Sequence, residues 1–251
     1  MIALVDGDIL CYRMGFATQE ENEDVAIRTM ASFMEDLVMF QLNVSEWTTF
    51  LTGKTNFRND VAVTAPYKGN RKGEKPKHHA LLREYLEYSW NGQVSDNCEA
   101  DDEIAIAATT HGDQSIIVSL DKDFDQVQGW HYNFVKRDKY YITQEEGLLN
   151  FYCQFLTGDR IDNIIGVKGI GPVKAHKLLN GLSEREMFDV CVEELGSVER
   201  AVENGRLLFL QRTQGQVWEP PIEDAECQSK GQKTTTVDSG ADSADVSTSG
   251  E

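Results

Sequence analysis

The sequence predicts an α/β fold: a twisted, mainly parallel sheet flanked by helices, with a helical subdomain behind it. Two observations predict it. Short apolar runs at 2–5, 47–51 and 115–120 read as buried strands, and helical stretches lie between them. That alternation is the pattern of a parallel sheet. The second observation is that acidic residues follow two of these runs, at Asp6 and at Asp121 and Asp123. The carboxyl edge of an open α/β sheet is where ligands bind.

Taken in order, the first strand ends in Asp6-Gly7-Asp8. Asp6 is the better ligand candidate, and Asp8 could equally cap the segment that begins at Ile9. Val25, Ile27, Met30, Phe33, Met34, Leu37, Val38 and Leu42 recur at helical spacing, so 24–43 reads as one amphipathic helix. The second strand stops at Thr52-Gly53. Residues 53–79 form a long polar connection, and a loop of that length in a compact domain is functional or disordered. Its charge and its Tyr67 favour function; His78 and His79 read as solvated basic residues. Leu81, Leu82, Tyr85, Leu86 and Tyr88 mark a helix that stops near Asn91-Gly92. Another helix follows Asp101 and is closed by His111-Gly112. Segments 130–135 and 140–142 read as short strands around a charged turn. Thr143 and Glu146 form a capping-box pattern for a helix reaching about Leu156. From Asp159 to about Trp218 the pattern is helical without a clear strand. The chain then turns rich in Ser, Thr, Gly and Asp and reads as disordered. The resulting division is 1–158 for the α/β domain, 159–218 for the helical subdomain and 219–251 for a disordered acidic tail.

The 251 residues carry a formal charge of −18, long enough for one large domain or a domain with a subdomain. No apolar run of about 18 residues exists to span a membrane. The N-terminus lacks a basic region and a cleavage site, so no signal peptide is expected and the location reads as cytoplasmic. Five scattered cysteines without a CxxC pair fit a reducing compartment and argue against zinc. The charge is unevenly spread. Residues 219–251 hold eight acids and two lysines, whereas 54–83 hold eight Lys or Arg and two acids. A strongly basic segment inside an acidic chain is a candidate nucleic-acid contact.

The acids themselves are the main functional signal. Asp96-Asn97-Cys98-Glu99-Ala100-Asp101-Asp102-Glu103 places five carboxylates in eight residues before an apolar helical run. An acidic first turn alone would suit the helix dipole. However, Asp121 and Asp123 follow a strand, Asp159 and Asp162 follow Phe155-Leu156-Thr157-Gly158, and Asp6 ends the first strand. Residues i and i+2 do not share a helix face, so Glu99 sits in the approach and Asp101 at or near the cap; Asp159 and Asp162 share a face if helical. Clustered carboxylates repel unless a cation neutralises them. Hard oxygen donors suit Mg²⁺ or Mn²⁺, and so many acids imply two ions, about 3.5–4 Å apart in two-metal phosphodiester chemistry.

The other informative stretch is Gly166-Val167-Lys168-Gly169-Ile170-Gly171-Pro172. Three glycines in six residues allow a tight turn and close backbone approach to a partner. Pro172 suits the first turn of the next helix. The expected unit is helix, glycine hairpin, helix, whose N–H groups can hold a backbone phosphate directly or through a monovalent cation. Lys168, Lys174 and Lys177 lie alongside.

Together these residues resemble the 5′-nuclease family: bacteriophage 5′-exonucleases, flap endonucleases and the 5′-nuclease domain of bacterial repair polymerases. The resemblance covers about residues 1–182. Thr157-Gly158-Asp159-Arg160-Ile161-Asp162-Asn163-Ile164, running into the glycine hairpin, matches the family's GD-x-x-DN and helix–three-turn–helix signature. Glu99-Ala100-Asp101-Asp102, Asp121-Lys122-Asp123-Phe124, Val5-Asp6-Gly7 and Tyr67-Lys68-Gly69-Asn70-Arg71 match its acidic and basic motifs.

The resemblance implies a PIN-like fold and a metal-dependent 5′-3′ exonuclease or flap endonuclease of DNA, of the kind that serves phage replication or recombination. Asp6, Glu99 and Asp101, with Asp102, would hold one Mg²⁺ or Mn²⁺, and Asp121, Asp123, Asp159 and Asp162 the second. Lys68 and Arg71 would contact the scissile phosphate, and Tyr67 would stack on a terminal base. Gly166, Val167, Lys168, Gly169, Ile170, Gly171 and Lys174 would grip duplex DNA, with K⁺ at the hairpin. The implied partner is DNA bearing a 5′ end or flap, or an RNA·DNA hybrid, and the chain would act as a monomer; protein partners are not indicated. One departure stands out: the family carries another metal-binding aspartate after its second strand, and here, where the chain reads Phe50-Leu51-Thr52-Gly53-Lys54, Thr52 or a neighbour stands in its place. The short segment between Arg71 and Ala80 leaves no room for a long helical arch. The competing readings are a PIN-type ribonuclease, a DNA-structure-binding relative with impaired catalysis, and a phosphatase, which would not explain the hairpin.

Overall fold

The computed structural model describes residues 1–71 and 73–221. A six-stranded sheet has the order β3-β2-β1-β4-β5-β6. Its strands are β1 (Ile2–Asp6), β2 (Glu46–Leu51), β3 (Gly92–Val94), β4 (Ser115–Val118), β5 (Gly129–Asn133) and β6 (Asp138–Ile142). The first five pair in parallel, and β6 runs antiparallel to β5. The helices accompanying the sheet are α1 (Gly7–Ala17), α2 (Glu23–Glu35), α3 (Arg58–Val61), α4 (His79–Ser89), α5 (Ala100–His111) and α6 (Gln144–Thr157). A small antiparallel pair, β7 (Gly158–Asp159) and β8 (Ile164–Ile165), then leads to α7 (Pro172–Leu179), α8 (Glu184–Leu195) and α9 (Val198–Leu208).

Strand alternation sorts the core. Ala3 and Val5 of β1 face one side, with Leu10 and Met14 of α1, Met30 and Met34 of α2, and Leu82 and Leu86 of α4. Leu4 faces the other, with Ala100, Ile104 and Ala108 of α5. A third cluster joins α6 to α7, α8 and α9 through Phe151, Phe155, Leu179, Phe188 and Trp218. Met1–Pro221 form one compact unit. Among the described residues, no helix is long and apolar enough to cross a membrane. Apart from 219–221, the expected tail lies outside the described residues.

Four local expectations change. The helix expected over 24–43 is α2 followed by a π-helical segment, Asp36–Gln41. There Gln41 Nε2 donates to Asp36 Oδ2 at 2.5 Å, and Tyr132 donates to Gln41 Oε1 at 2.7 Å. Residues 158–159 and 164–165 form strands, although the chain from Asp159 onward was expected to be helical without a clear strand. Each strand is two residues long, too short to leave a periodic trace. The three-residue β3 escapes notice for the same reason. His78 and His79 are buried rather than solvated. His78 Nε2 meets the Glu21 carbonyl at 2.9 Å. His79 packs 4.9 Å from the Tyr12 ring, and burial lowers its pKa.

Candidate active site

The carboxyl ends of β1 and β4 are tied together by one hydroxyl. Asp6 ends β1 and caps α1, its Oδ1 accepting from Ile9 N at 3.1 Å. Asp6, and not Asp8, is therefore the cap. Its Oδ2 accepts from Ser119 Oγ at 2.7 Å, and Ser119 Oγ accepts from Asp121 N at 3.0 Å. Asp121 Oδ1 in turn accepts from Asp123 N at 3.0 Å, and Gln154 of α6 donates to Asp123 Oδ1 at 2.7 Å. Neither Ser119 nor Gln154 was anticipated. The only trace of Ser119 in the sequence is a polar residue at the end of an apolar run, and Gln154 leaves none.

Asp101 lies at the second position of α5, with Glu99 as the N-cap residue. Burial raises Asp101 well above the usual carboxylate range, and Asp6, Glu99 and Asp121 raise it further. Burial pushes Asp6 up to about 7 against the hydrogen bonds from Ser119 and Ile9, with Asp8 and Asp121 adding repulsion. Asp123 is likewise pushed up to about 7, by burial first and then by Asp121 and Asp159. Asp121 is raised by burial, with Asp159 and Asp162 repelling it while the Asp123 amide pulls it down. Carboxylates at the ends of β1 and β4, at the start of α5 and around the β7–β8 turn thus feel one another, and a bound cation would neutralise such a set.

Asp159 and Asp162 do not share a helix face; Asp159 ends β7 and Asp162 sits in the turn that leads to β8. Asp159 Oδ1 accepts from the Ile161 and Asp162 amides at 2.6 and 3.2 Å. Asp102 departs furthest from expectation. Fully buried, it accepts from Arg58 Nη1 at 2.6 Å and Nη2 at 2.9 Å, from Glu99 N at 3.0 Å and from Gln211 N at 3.1 Å. A carboxylate so occupied, and sealed from water, belongs to the frame behind the site and does not ligate a metal. The remaining donors are all hard oxygens, which fit Mg²⁺ or Mn²⁺. Among the described residues no three of them are already gathered to the spacing of a formed metal site. Glu99 and Asp162 are instead engaged by the basic segment.

That segment docks on the β7–β8 turn. Lys68 N donates to the Asp162 carbonyl at 2.9 Å, Asn70 to the Arg160 carbonyl at 2.6 Å, and Asn163 to the Pro66 carbonyl at 2.9 Å. Lys68 pairs with Glu99 and lies 3.7 Å from Asp162, and Arg71 Nη2 meets Asp162 Oδ1 at 2.6 Å. Tyr67 is not available to stack on a base. Its ring is buried in the helical cluster, and its hydroxyl lies 2.8 Å from Glu99 Oε2 and 2.7 Å from Asp162 Oδ2. Among the described residues between β2 and α4 the only helix is the four-residue α3.

The three hairpin glycines serve different ends. A Cβ at Gly166 would stand 2.3 Å from the Thr157 carbonyl carbon, so this glycine serves close packing. Gly169 has φ of +86°, a conformation that favours glycine. A Cβ at Gly171 would meet nothing within 4 Å, and its φ is −98°. Pro172 opens α7 as expected. An open groove lined by Asn70, Lys122, Arg160, Asn163 and Pro172 lies between the acidic turn and the start of α7.

Residues 1–152 match the family described as 5′-3′ exonuclease, N-terminal resolvase-like domain. The chain belongs to this 5′-3′ exonuclease family. It is 30% identical over 222 residues to DNA polymerase I of Bacillus caldotenax, covering 77% of this chain but 25% of the polymerase. The chain therefore spans about a quarter of the polymerase it matches. It is 33% identical over 165 residues to the flap endonuclease Xni of Shewanella piezotolerans, covering 57% of this chain and 64% of Xni. Among solved structures, the bacteriophage T5 5′-exonuclease with bound zinc superposes with a TM-score of 0.66 at 18% identity, over 82% of this chain and 88% of that one. That likeness shows the PIN-like fold.

Proposed function

We propose that the chain is a divalent-metal-dependent 5′-nuclease that hydrolyses DNA phosphodiesters as a 5′-3′ exonuclease or flap endonuclease. The observation that carries this reading is the gathering of acids at one edge of the sheet, with Asp6, Asp121 and Asp123 linked through Ser119 and the Asp123 amide and Asp101 in the first turn of α5, while Lys68 pairs with Glu99 and Arg71 with Asp162. Relatives point the same way: the T5 flap endonuclease has been solved in a pseudo-enzyme-product complex with DNA and metal ions.

In this reading Asp6, Glu99 and Asp101 hold one Mg²⁺ or Mn²⁺, and Asp121, Asp123, Asp159 and Asp162 hold or orient the second. Bound divalent ions supply an activated water and stabilise charge on the attacking and leaving oxygens. Ser119 fixes the Asp6 carboxylate, and Gln154 fixes that of Asp123. Tyr67 holds Glu99 and Asp162 in register through its hydroxyl. Lys68 and Arg71 neutralise charge that builds on the phosphate. Residues 159–218 act as the duplex-binding part, with Gly169, Gly171 and Lys174 presenting backbone and charge to remote phosphates, directly or through K⁺.

Cleavage of a 5′-flap, a blunt duplex and an RNA·DNA hybrid, each with Mg²⁺ and with EDTA, tests the reading. Release of 5′ products only with Mg²⁺ is expected. Cleavage that persists in excess EDTA would sink it.

A further inference from the structure

Position 52 presents a puzzle that Asp8 resolves. Thr52 follows β2, close to the acidic end of α5, and its hydroxyl is committed: Oγ1 accepts from Ala100 N at 3.0 Å, in the first turn of α5. It contributes no negative charge there. Asp8 stands beside it. Asp8 Oδ2 accepts from Thr52 N at 2.9 Å, and Asp8 Oδ1 accepts from Arg83 Nη1 at 3.0 Å. Arg83 of α4 also donates through Nη2 to the Thr52 carbonyl. Asp8, Thr52 and Arg83 therefore form a closed unit linking α1, the end of β2 and α4, and through Thr52 it reaches the first turn of α5. The Asp8 side chain remains 27% exposed, so water reaches it.

We propose that Asp8, clamped by Arg83, supplies at the β2 end of the centre the negative charge that position 52 lacks. Asp8 is then a positioning residue for a divalent ion. It acts through ion-bound water, which hard cations such as Mg²⁺ retain, and Arg83 sets its place. The inference rests on the metal-dependent reading above. It also explains why a threonine is tolerated at 52. An aspartate there would put a second carboxylate beside Asp8, and like charges at that distance repel. One carboxylate, on the helix that follows the neighbouring strand, then serves in place of one at the end of β2.

The test is Mn²⁺ binding by calorimetry to the full chain, with thermal melting as a fold control and single-turnover cleavage alongside. Asp8→Asn is expected to weaken Mn²⁺ binding about tenfold, as loss of an outer-shell partner does, while the protein still melts cooperatively. Asp8→Asn combined with Thr52→Asp restores binding to within about twofold of the starting protein, as expected if the charge has only moved. Arg83→Lys keeps most of the affinity, and Arg83→Met loses it. Unchanged Mn²⁺ binding in Asp8→Asn overturns the proposal. So does a double variant that melts like the starting protein yet binds no better than Asp8→Asn. Failure of the unmodified chain to bind Mn²⁺ at all would instead sink the metal-dependent reading itself.

Discussion

Arg58 and Asp102 form a two-pronged ion pair at 2.6 and 2.9 Å, both side chains almost completely buried. Arg58 also donates from Nε to the Leu207 carbonyl at 2.8 Å and from Nη2 to the Phe209 carbonyl at 2.7 Å. Asp102 holds the Glu99 amide. The start of α3, the acidic start of α5 and the C-terminal end of α9 thus meet on one guanidinium.

Breaking that pair should cost stability before it costs chemistry. Asp102→Ala leaves a buried, unpaired guanidinium, and a loss of about 3–5 kcal/mol in urea unfolding is expected. Combining Asp102→Leu with Arg58→Met removes both charges and should destabilise less than Asp102→Ala alone. A single variant as stable as the unaltered chain would show that Asp102 is not part of the frame.

Tyr67→Phe separates two roles. The ring is kept, so a stacking function would survive. The hydroxyl shared by Glu99 and Asp162 is lost, and leaving buried acceptors without their donor costs about 1–3 kcal/mol. A fall of about tenfold or more in single-turnover rate is expected, with DNA affinity little changed. Equal rates for Tyr67→Phe and the unaltered chain would return the residue to a stacking role.

The pH dependence follows from the raised carboxylates. Asp6 and Asp123 titrate near 7 in the folded chain, whereas unfolded aspartates titrate near about 3.9. The folded state therefore binds more protons between these values, and metal-free stability should fall as pH rises from about 4 to 7. Divalent ions compete with the same protons. Their stabilising effect should be small at pH 5 and grow through pH 8, as read by melting temperature with and without Mn²⁺. A stabilisation independent of pH would contradict this.

Chemistry and duplex grip should fail separately. Asp123→Ala is expected to abolish cleavage while leaving duplex affinity within a few-fold, measured in Ca²⁺. Gly171→Val should weaken binding to long duplexes without disturbing the fold, because its φ is ordinary and a Cβ there meets nothing. Gly166→Val would be a poor probe, since its side chain would collide with the backbone at Thr157. If Asp123→Ala and Gly171→Val lose binding and rate in equal proportion on long and short duplexes, the division between them is wrong.

Much of this was legible in the chain because local chemistry agreed with global position. The apolar runs at β1, β2 and β4, the Thr143–Glu146 capping box of α6 and Pro172 at the start of α7 all appear where residue pattern puts them. The acids of the centre were visible as strand-end residues. What could not be read was the long-range pairing that sorts similar residues into different jobs. Asp101 and Asp102 are neighbours in the sequence, yet only Asp102 meets Arg58, 44 positions away. Ser119 matters because Asp6 lies 113 positions from it. Tyr67 looked like an exposed ring in a polar loop until the cluster around α6 enclosed it. None of these pairings leaves a periodic trace, since each is set by tertiary approach.

The end of α9 and the residues just after it have a consequence for biosynthesis. Besides the carbonyls of Leu207 and Phe209 on Arg58, the Gln211 amide closes on Asp102, and Leu210 N and the Leu208 carbonyl bond to Gln126. The acidic face of α5 is therefore fastened by residues made long after it. On a translating ribosome, a nascent chain that has exposed residues 1–162 but not residue 211 carries all the acids of the candidate site without the Gln211 bond to Asp102. Under the proposed function, products terminated before residue 211 would cleave DNA poorly.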